Sequence, residues 1–341
     1  MHDFYYIVYK HILTYVFRVA PMRFLMRFLV RCTCLLRHGL IRQFARSFFT
    51  LLLCSTAHAA VQNFTFAAFG DAPYIEAEEA RFLGALAEMN RIPLAFAIHV
   101  GDFKSGWSPC TDALFLRRRE EFSLLRHPLI YVPGDNEWTD CWRAPGVSRA
   151  EGDPLQRLQQ LRRIFFADGY SLGQRRIALE RQNTAYPEHA RWLHDGVLFA
   201  TLNVPGGGNN ARLPHESAAR TTMVTAWISD TFRVARAQSH GAVVLAMQAN
   251  PWTFGGNIGK NYSAIMAAIA HETHRFEGEV LLIHGDSHRH RIDQPLINPR
   301  TGYPFRNFTR IEVFGSPVVN WVRVQVSRQN GKTVFSATSG G

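Results

Sequence analysis

One pattern constrains this chain more than any other: a short apolar run that ends in Gly-Asp, met four times. Leu94 to Val100 is continuous, uncharged and short, so it reads as a buried strand, and Gly101-Asp102 follows it. Asn63 to Phe69 ends in Gly70-Asp71, Pro128 to Val132 leads into Gly134-Asp135-Asn136, and Glu279 to His284 ends in Gly285-Asp286-Ser287-His288. A fifth run, Ala242 to Gln248, carries Gln248 and Asn250. Glycine lets the chain turn sharply at a strand's carboxyl end, the edge where open α/β sheets bind ligands. A lone Gly-Asp is a turn aspartate satisfying backbone donors. Several carboxylates gathered at one edge repel one another unless a cation neutralises them, so the recurrence points to a metal site.

The segments between these runs read as helices. Glu76 to Asn90 places Phe82, Leu83, Leu86 and Met89 on one face, and Asp112 to Arg126, Pro214 to Gln238 and Ser263 to His274 follow. Gly196 to Val204 is a further strand, and the tail (Arg310 to Phe314, Val318 to Val326, Lys332 to Ser336) alternates like antiparallel strands, with Asn330-Gly331 as a hairpin turn. Ala144 to Arg191, rich in Arg, Gln and Glu with Leu155, Leu158, Leu161, Ile164 and Phe165 at helical spacing, reads as a helical insertion or cap. The glycines from Gly206 to Gly208 are not a phosphate loop, because no Lys-Ser/Thr follows; they read as a rim loop with Asn209 and Asn210 as substrate contacts. Strand and helix alternation predicts a layered α/β domain, from residue 60 to 341, without an internal linker.

The formal net charge is +11, but seven of those charges lie in the first sixty residues, where Lys10, Arg18, Arg23, Arg27, Arg31, Arg37, Arg42 and Arg46 face only Asp3. The high pI is thus mostly a property of the leader, and nucleic acid is not expected as a partner. Arg42 and Arg46, the apolar stretch Phe48 to Cys54 and Ala57-His58-Ala59 read as a secretory signal over 1–59, cut after Ala59, with the translation start at Met22, Met26 or a nearby codon. An uncleaved amphipathic anchor is the competing reading, and the membrane is a partner only in that case. A periplasmic or secreted location follows from the first reading. Cys32, Cys34 and Cys54 lie in the leader, so Cys110 and Cys141 remain and are expected to pair in an oxidising compartment.

The ordered stretches GDAP at Gly70, GDFKSG at Gly101, PGDNEW at Pro133, MQANPW at Met247 and HGDSH at His284 resemble the calcineurin-like metallophosphoesterases, purple acid phosphatase-like members included, from Phe64 to about Trp321. The resemblance implies a four-layer αββα sandwich of two mixed sheets flanked by helices, and a pair of divalent metal ions. It implies as ligands Asp71, Asp102 as the bridging carboxylate, Asp135, Gln248, Asp286 and His288. Histidines of the family pattern are exchanged for Pro73, Gln248 and Asp286, and Asn136 stands where the family has the histidine that assists the leaving group. Oxygen donors suit Mg, Mn, Fe or Ca better than Zn. The implied activity is hydrolysis of a small-molecule phosphate ester by metal-activated water. Asn136 cannot yield a proton, so acid assistance is expected from His288, His290, His99 or water. The alternative is a catalytically degenerate member of the fold that acts as a binding or envelope-associated module. His99 and His284, inside or at the end of apolar runs, read as structural; Lys104 reads as a phosphate contact or a solvated turn residue; Trp138 and Trp252 read as core.

Overall fold

The computed structural model describes residues 63–340; the leader, with Cys32, Cys34, Cys54 and the signal-peptide reading, lies outside the described residues. Twelve strands form two mixed sheets. The first has the order β12-β11-β1-β2-β3, built from β1 (Phe64–Phe69), β2 (Ala97–His99), β3 (Leu129–Tyr131), β11 (Val322–Gln329) and β12 (Lys332–Ser339). The second runs β4-β5-β6-β7-β8-β10-β9: β4 (Glu180–Arg181), β5 (Ala190–His194), β6 (Val197–Thr201), β7 (Ala242–Ala246), β8 (Glu279–His284), β10 (Phe308–Glu312) and β9 (Arg291–Asp293).

Side-chain alternation explains why the strands read as unbroken apolar runs. In β1, Phe66 and Ala68 enter a core shared with Val244 and Ala246 of β7 and Leu281 and Ile283 of β8, so this core lies between the sheets. Their neighbours Ala67 and Phe69 face the other way, against Phe82 and Leu86 of helix α1 (Glu76–Met89), Phe115 and Phe122 of α2 (Asp112–Phe122) and Leu161 of α3 (Pro154–Phe165). On the far side, Val243, Leu245 and Leu282 pack on Val224, Ile228 and Phe232 of α4 (Pro214–Ala237) and on Ile265 and Ile269 of α5 (Ser263–His274). Both faces of each sheet are therefore covered, and the four layers of the expected αββα sandwich are present. Among the described residues no helix is long and apolar enough to cross a membrane.

Two expectations need correction. The stretch 144–191 holds one helix, α3, capped by Asp153 and opened by Pro154; the rest is loop and sheet, with β4 and β5 extending the second sheet. Gly169, Gly173 and Pro187 interrupt the helical periodicity, and Ala190 and Trp192 alternate into the inter-sheet core. Several arginines of this stretch are paired with carboxylates, Arg162 with Glu188, Arg176 with Asp168, Arg157 with Asp112, and Arg191 with Glu180 and Asp230. In the tail, β11 and β12 form the expected hairpin, Asn330 and Gly331 having φ of 50° and 79°. β10 instead runs parallel to β8.

Strands β1, β2 and β3 are mutually parallel, as are β6, β7, β8 and β10. Parallel strands deliver their carboxyl ends to one edge, so the topology brings the loops after β1, β2, β3, β7 and β8 together. The Cys110–Cys141 disulfide ties the loop after β2 to the loop after β3.

Candidate metal-binding and active site

Asp71, Asp102, Asp135 and Asp286 meet at this edge. The first three are buried, with 0%, 3% and 6% of their surface exposed. Asp102 accepts from Tyr74 Oη (3.0 Å), Asn136 Nδ2 (2.9 Å) and Gln248 Nε2 (3.1 Å) at Oδ2, and from the Asn136 backbone N–H (3.0 Å) at Oδ1. Asp71 Oδ1 accepts the Asp286 N–H at 3.0 Å, and Asp286 Oδ2 the Asn250 N–H at 2.9 Å. Asp71 Oδ2 and Asp135 Oδ1 have no hydrogen-bond partner. Among the described residues no Lys or Arg nitrogen lies within 4.0 Å of any of these four carboxylates; His288 Nε2 reaches Asp71 Oδ1 at 4.0 Å.

Burial and mutual repulsion therefore dominate the electrostatics. Burial first, then the neighbouring carboxylates, hold the pKa values of Asp102 and Asp135 well above the usual carboxylate range, and burial with Asp286 and Asp135 nearby does the same for Asp71. Asp286 is pushed up to about 6, chiefly by burial. Lys104, buried beside Glu137 and Asp102, donates to the Ser105 carbonyl at 2.7 Å, and burial lowers its pKa to about 8. It is neither solvated nor in an ion pair with a site carboxylate.

The backbone carries the strain that the sheet edge imposes. Asp71, Asp102, Asp286 and His288 have φ of 50°, 56°, 79° and 57°, a left-handed region in which Asp and His are the more readily accommodated of the non-glycine residues. The aspartates themselves make these turns. Gly134 and Gly285 are needed for space, not for φ: a β-carbon would lie 2.0 Å from Asp102 Oδ1 at Gly134 and 1.8 Å from Asp71 Oδ2 at Gly285.

Several residues named from the sequence take other parts. Gln248 Oε1 accepts the Gly206 N–H while its amide nitrogen donates to Asp102, so both ends of the carboxamide are hydrogen-bonded within the protein. Asn136 positions Asp102 and donates to Tyr74 Oη at 2.9 Å. His288 donates from Nδ1 to the Ser316 carbonyl (2.7 Å) and presents Nε2 to Tyr74 Oη (3.2 Å). His290 faces the Glu312 carbonyl and stacks on Phe314 with ring centroids 4.1 Å apart, away from the carboxylates. His99 accepts the Gly101 N–H, His284 donates to the Gly285 carbonyl, and burial holds both imidazoles neutral, down to about 3. Trp138 and Trp252 are core residues. Asn209 is buried and bonded to Thr221 and Arg220, so it shapes the Gly206 loop from within.

Two participants escaped the sequence reading. Tyr74 Oη, at the junction of Asp102, Asn136 and His288, occupies the middle of the network; its signal was its place just after the first Gly-Asp. Glu137, fully buried, accepts the Asp102 N–H at 2.7 Å and the Tyr131 hydroxyl at 3.0 Å, and so fixes the backbone that presents Asp102.

Whether these donors suit a metal ion divides the site. Among the described residues no group of three or more His, Cys, Asp or Glu already forms a metal-ligating arrangement. Asp102 is engaged by four protein donors, three at Oδ2 and one at Oδ1, so Oδ1 alone keeps a lone pair. The other side is open in its chemistry: a β-carbon on Gly206 would meet Asp286 Oδ1 at 2.5 Å and Asp135 Oδ1 at 2.8 Å, and the orphaned oxygens of Asp71 and Asp135 belong to the same carboxylate group. Hard-oxygen donors without partners, screened by a glycine loop, suit a hard cation.

No protein-family model matches the sequence, and comparison with curated proteins finds no match. Among solved structures the chain is similar to PhoD, at 11% identity and a TM-score of 0.48 over 82% of this chain and 69% of that one. It is similar also to the NAD nucleotidase NadN of Haemophilus influenzae, at 11% identity and a TM-score of 0.43 over 81% of this chain; it spans about half of that protein, 49%. These are likenesses of fold, and the two-sheet α/β sandwich itself stands on the strand pairings described above.

Proposed function

We propose that this protein is an exported phosphoesterase that hydrolyses small-molecule phosphate esters at a site where Asp71, Asp135 and Asp286 hold a divalent cation. One observation carries the reading: four carboxylates share a buried edge without a Lys or Arg nitrogen within 4.0 Å among the described residues, and two of them keep an oxygen without any partner. Protons or a bound cation must balance that charge. The oxygen donors favour Mg, Mn, Fe or Ca over Zn. Such an ion, when bound, supplies Lewis-acid stabilisation of phosphoryl charge and a more acidic water.

The protein's own residues then have definable parts. Asp102 orients Asn136, Tyr74 and Gln248 through its four hydrogen bonds, and Gln248 in turn holds the Gly206 loop against the carboxylates. Asn136 cannot act as an acid. The Tyr74 hydroxyl and the His288 imidazole, 3.2 Å apart, are the groups able to hold and pass a proton beside the leaving oxygen. The disulfide and the signal-like leader support export.

The second reading, a catalytically degenerate binding module of the same fold, draws on the hydrogen bonds that engage Asp102 and Gln248 within the protein. Elemental analysis of protein purified without chelator, beside Asp71→Asn, separates the two. About one Mn, Fe, Mg or Ca ion per chain, lost in the variant together with hydrolysis of phosphate esters, supports the phosphoesterase. No bound metal after addition of each ion, with no hydrolysis, selects the module.

A further inference from the structure

The described residues contain seven tryptophans, and five of them are buried (Trp138, Trp192, Trp227, Trp252, Trp321). The exceptions, Trp107 at 62% and Trp142 at 44% exposure, lie on the loops that follow Asp102 and Asp135, close to the ends of the Cys110–Cys141 bridge. Two ring–guanidinium pairs, joined through the chain neighbours Trp142 and Arg143, make up a row there. The Arg143 guanidinium lies 4.7 Å from the Trp107 ring centroid, Trp142 is its chain neighbour, and the Arg212 guanidinium lies 3.6 Å from the Trp142 centroid.

Both ends of the row are anchored to the carboxylate edge. Gly106, next to Trp107, packs so closely that a β-carbon there would meet Asn136 Oδ1 at 2.7 Å and Arg143 Nη1 at 3.3 Å. Arg212 lies on the segment that begins at Gly206 and Gly207, which press on Asp135. Arg143 is paired with Asp140, whereas Arg212 has no carboxylate within 4.0 Å among the described residues, so the row keeps a net positive charge. A similar pair, Phe254 at 95% exposure with Arg289 5.1 Å from its ring centroid, stands on the loops after Gln248 and Asp286.

Trp presents a large apolar face with a polar edge, and exposed rings paired with guanidinium groups beside a cluster of carboxylates offer a surface on which a planar ring can stack. We propose that Trp107, Arg143, Trp142 and Arg212 form a recognition site for the organic part of the substrate, and that this part carries a planar aromatic ring. The ring stacks on the tryptophan faces, Arg212 attracts the anionic ester, and the phosphate reaches the Asp135 side of the carboxylate edge. The substrate class is thus ring-bearing phosphate esters, aryl or nucleoside, in preference to alkyl phosphates. This inference rests on the phosphoesterase reading for the phosphate, and on the row alone for the ring.

Calorimetric titration of the full chain with phenyl phosphate, adenosine monophosphate, glycerol 3-phosphate and adenosine, repeated on Trp107→Ala, Trp142→Ala and the milder Trp142→Leu, tests it. Both ring-bearing phosphates should bind about tenfold tighter than glycerol 3-phosphate, and the alanine variants should lose that preference while binding glycerol 3-phosphate as before. Equal affinities in the unmodified protein, or a preference that survives in the variants, overturns the proposal. If no phosphate binds, the phosphoesterase reading falls; adenosine binding that Trp142→Ala abolishes then still supports the ring site, and no adenosine binding overturns it too.

Discussion

Tyr74 shows how much a single side chain decides at this edge. Its hydroxyl takes a hydrogen bond from Asn136 and gives its one proton towards Asp102 or His288, so three polar residues are referenced to one oxygen. Tyr74→Phe keeps the ring against His288, whose centroid is 5.1 Å away, and removes only that oxygen. The variant should lose about 1–3 kcal/mol of stability in denaturant titration, because a buried carboxylate and a buried amide each lose a partner. An unchanged midpoint would show that water replaces the hydroxyl at no cost. The same reasoning explains why Asp102, which matches the bridging carboxylate of the resemblance, is better described as the keystone of a hydrogen-bond network.

Loops, not strands, carry the chemistry, and the disulfide holds two of them in place. Cys110 and Cys141 are 31 residues apart, and the bridge closes a loop that includes α2, β3, Asp135 and Asn136. Closing a loop of that length restricts the unfolded chain by about 3–4 kcal/mol. Reduction, or Cys110→Ser with Cys141→Ser, should therefore lower the melting temperature by several degrees; equal melting curves with and without reductant would refute the assignment. Strand β5 teaches a different lesson about elements. Its Ala190 and Trp192 are apolar in alternation, but the arginine-rich stretch before it has the composition of a helix, and only the neighbouring β6 makes it a strand.

Across the whole molecule the carboxylate edge is a stability liability that a cation or protons must relieve. Burial raises the Asp286 carboxyl from its ordinary 3.8 to about 6, and moves Asp71, Asp102 and Asp135 in the same direction. An acid weaker in the folded than in the unfolded state holds its proton longer when folded, so stability falls as pH rises from about 3.8 through about 6. Without added metal, Asp286→Asn should gain roughly 3 kcal/mol on the unmodified protein between pH 4 and pH 7, read as converging then crossing melting curves. A difference independent of pH would contradict the buried-carboxylate account. Excess Mn or Mg should shrink the gain, since a cation that binds only the folded unmodified protein restores what deprotonation costs.

By itself the sequence determined the layering. Apolar runs of strand length, helices of 3.6-residue period and turns at Gly-Asp are local properties, and they sufficed for the α/β alternation, for helix Ser263–His274 to the residue and for the Asn330-Gly331 hairpin. The strand-end motifs, with the family resemblance they carry, also named Asp71, Asp102, Asp135, Gln248, Asp286 and His288 together, and the hydrogen bonds across the two sheets bring them close. Only the tertiary structure decided what each of them does there. Whether a carboxylate is open to a ligand depends on which donors reach its lone pairs, and those donors, Tyr74, Asn136 and Gln248, arrive from as far as 146 positions away in the chain. Periodicity and spacing carry no information on such contacts, so Tyr74 and Glu137 stayed hidden, and the hydrogen bonds of Gln248 and Asp102 came to light only in the fold.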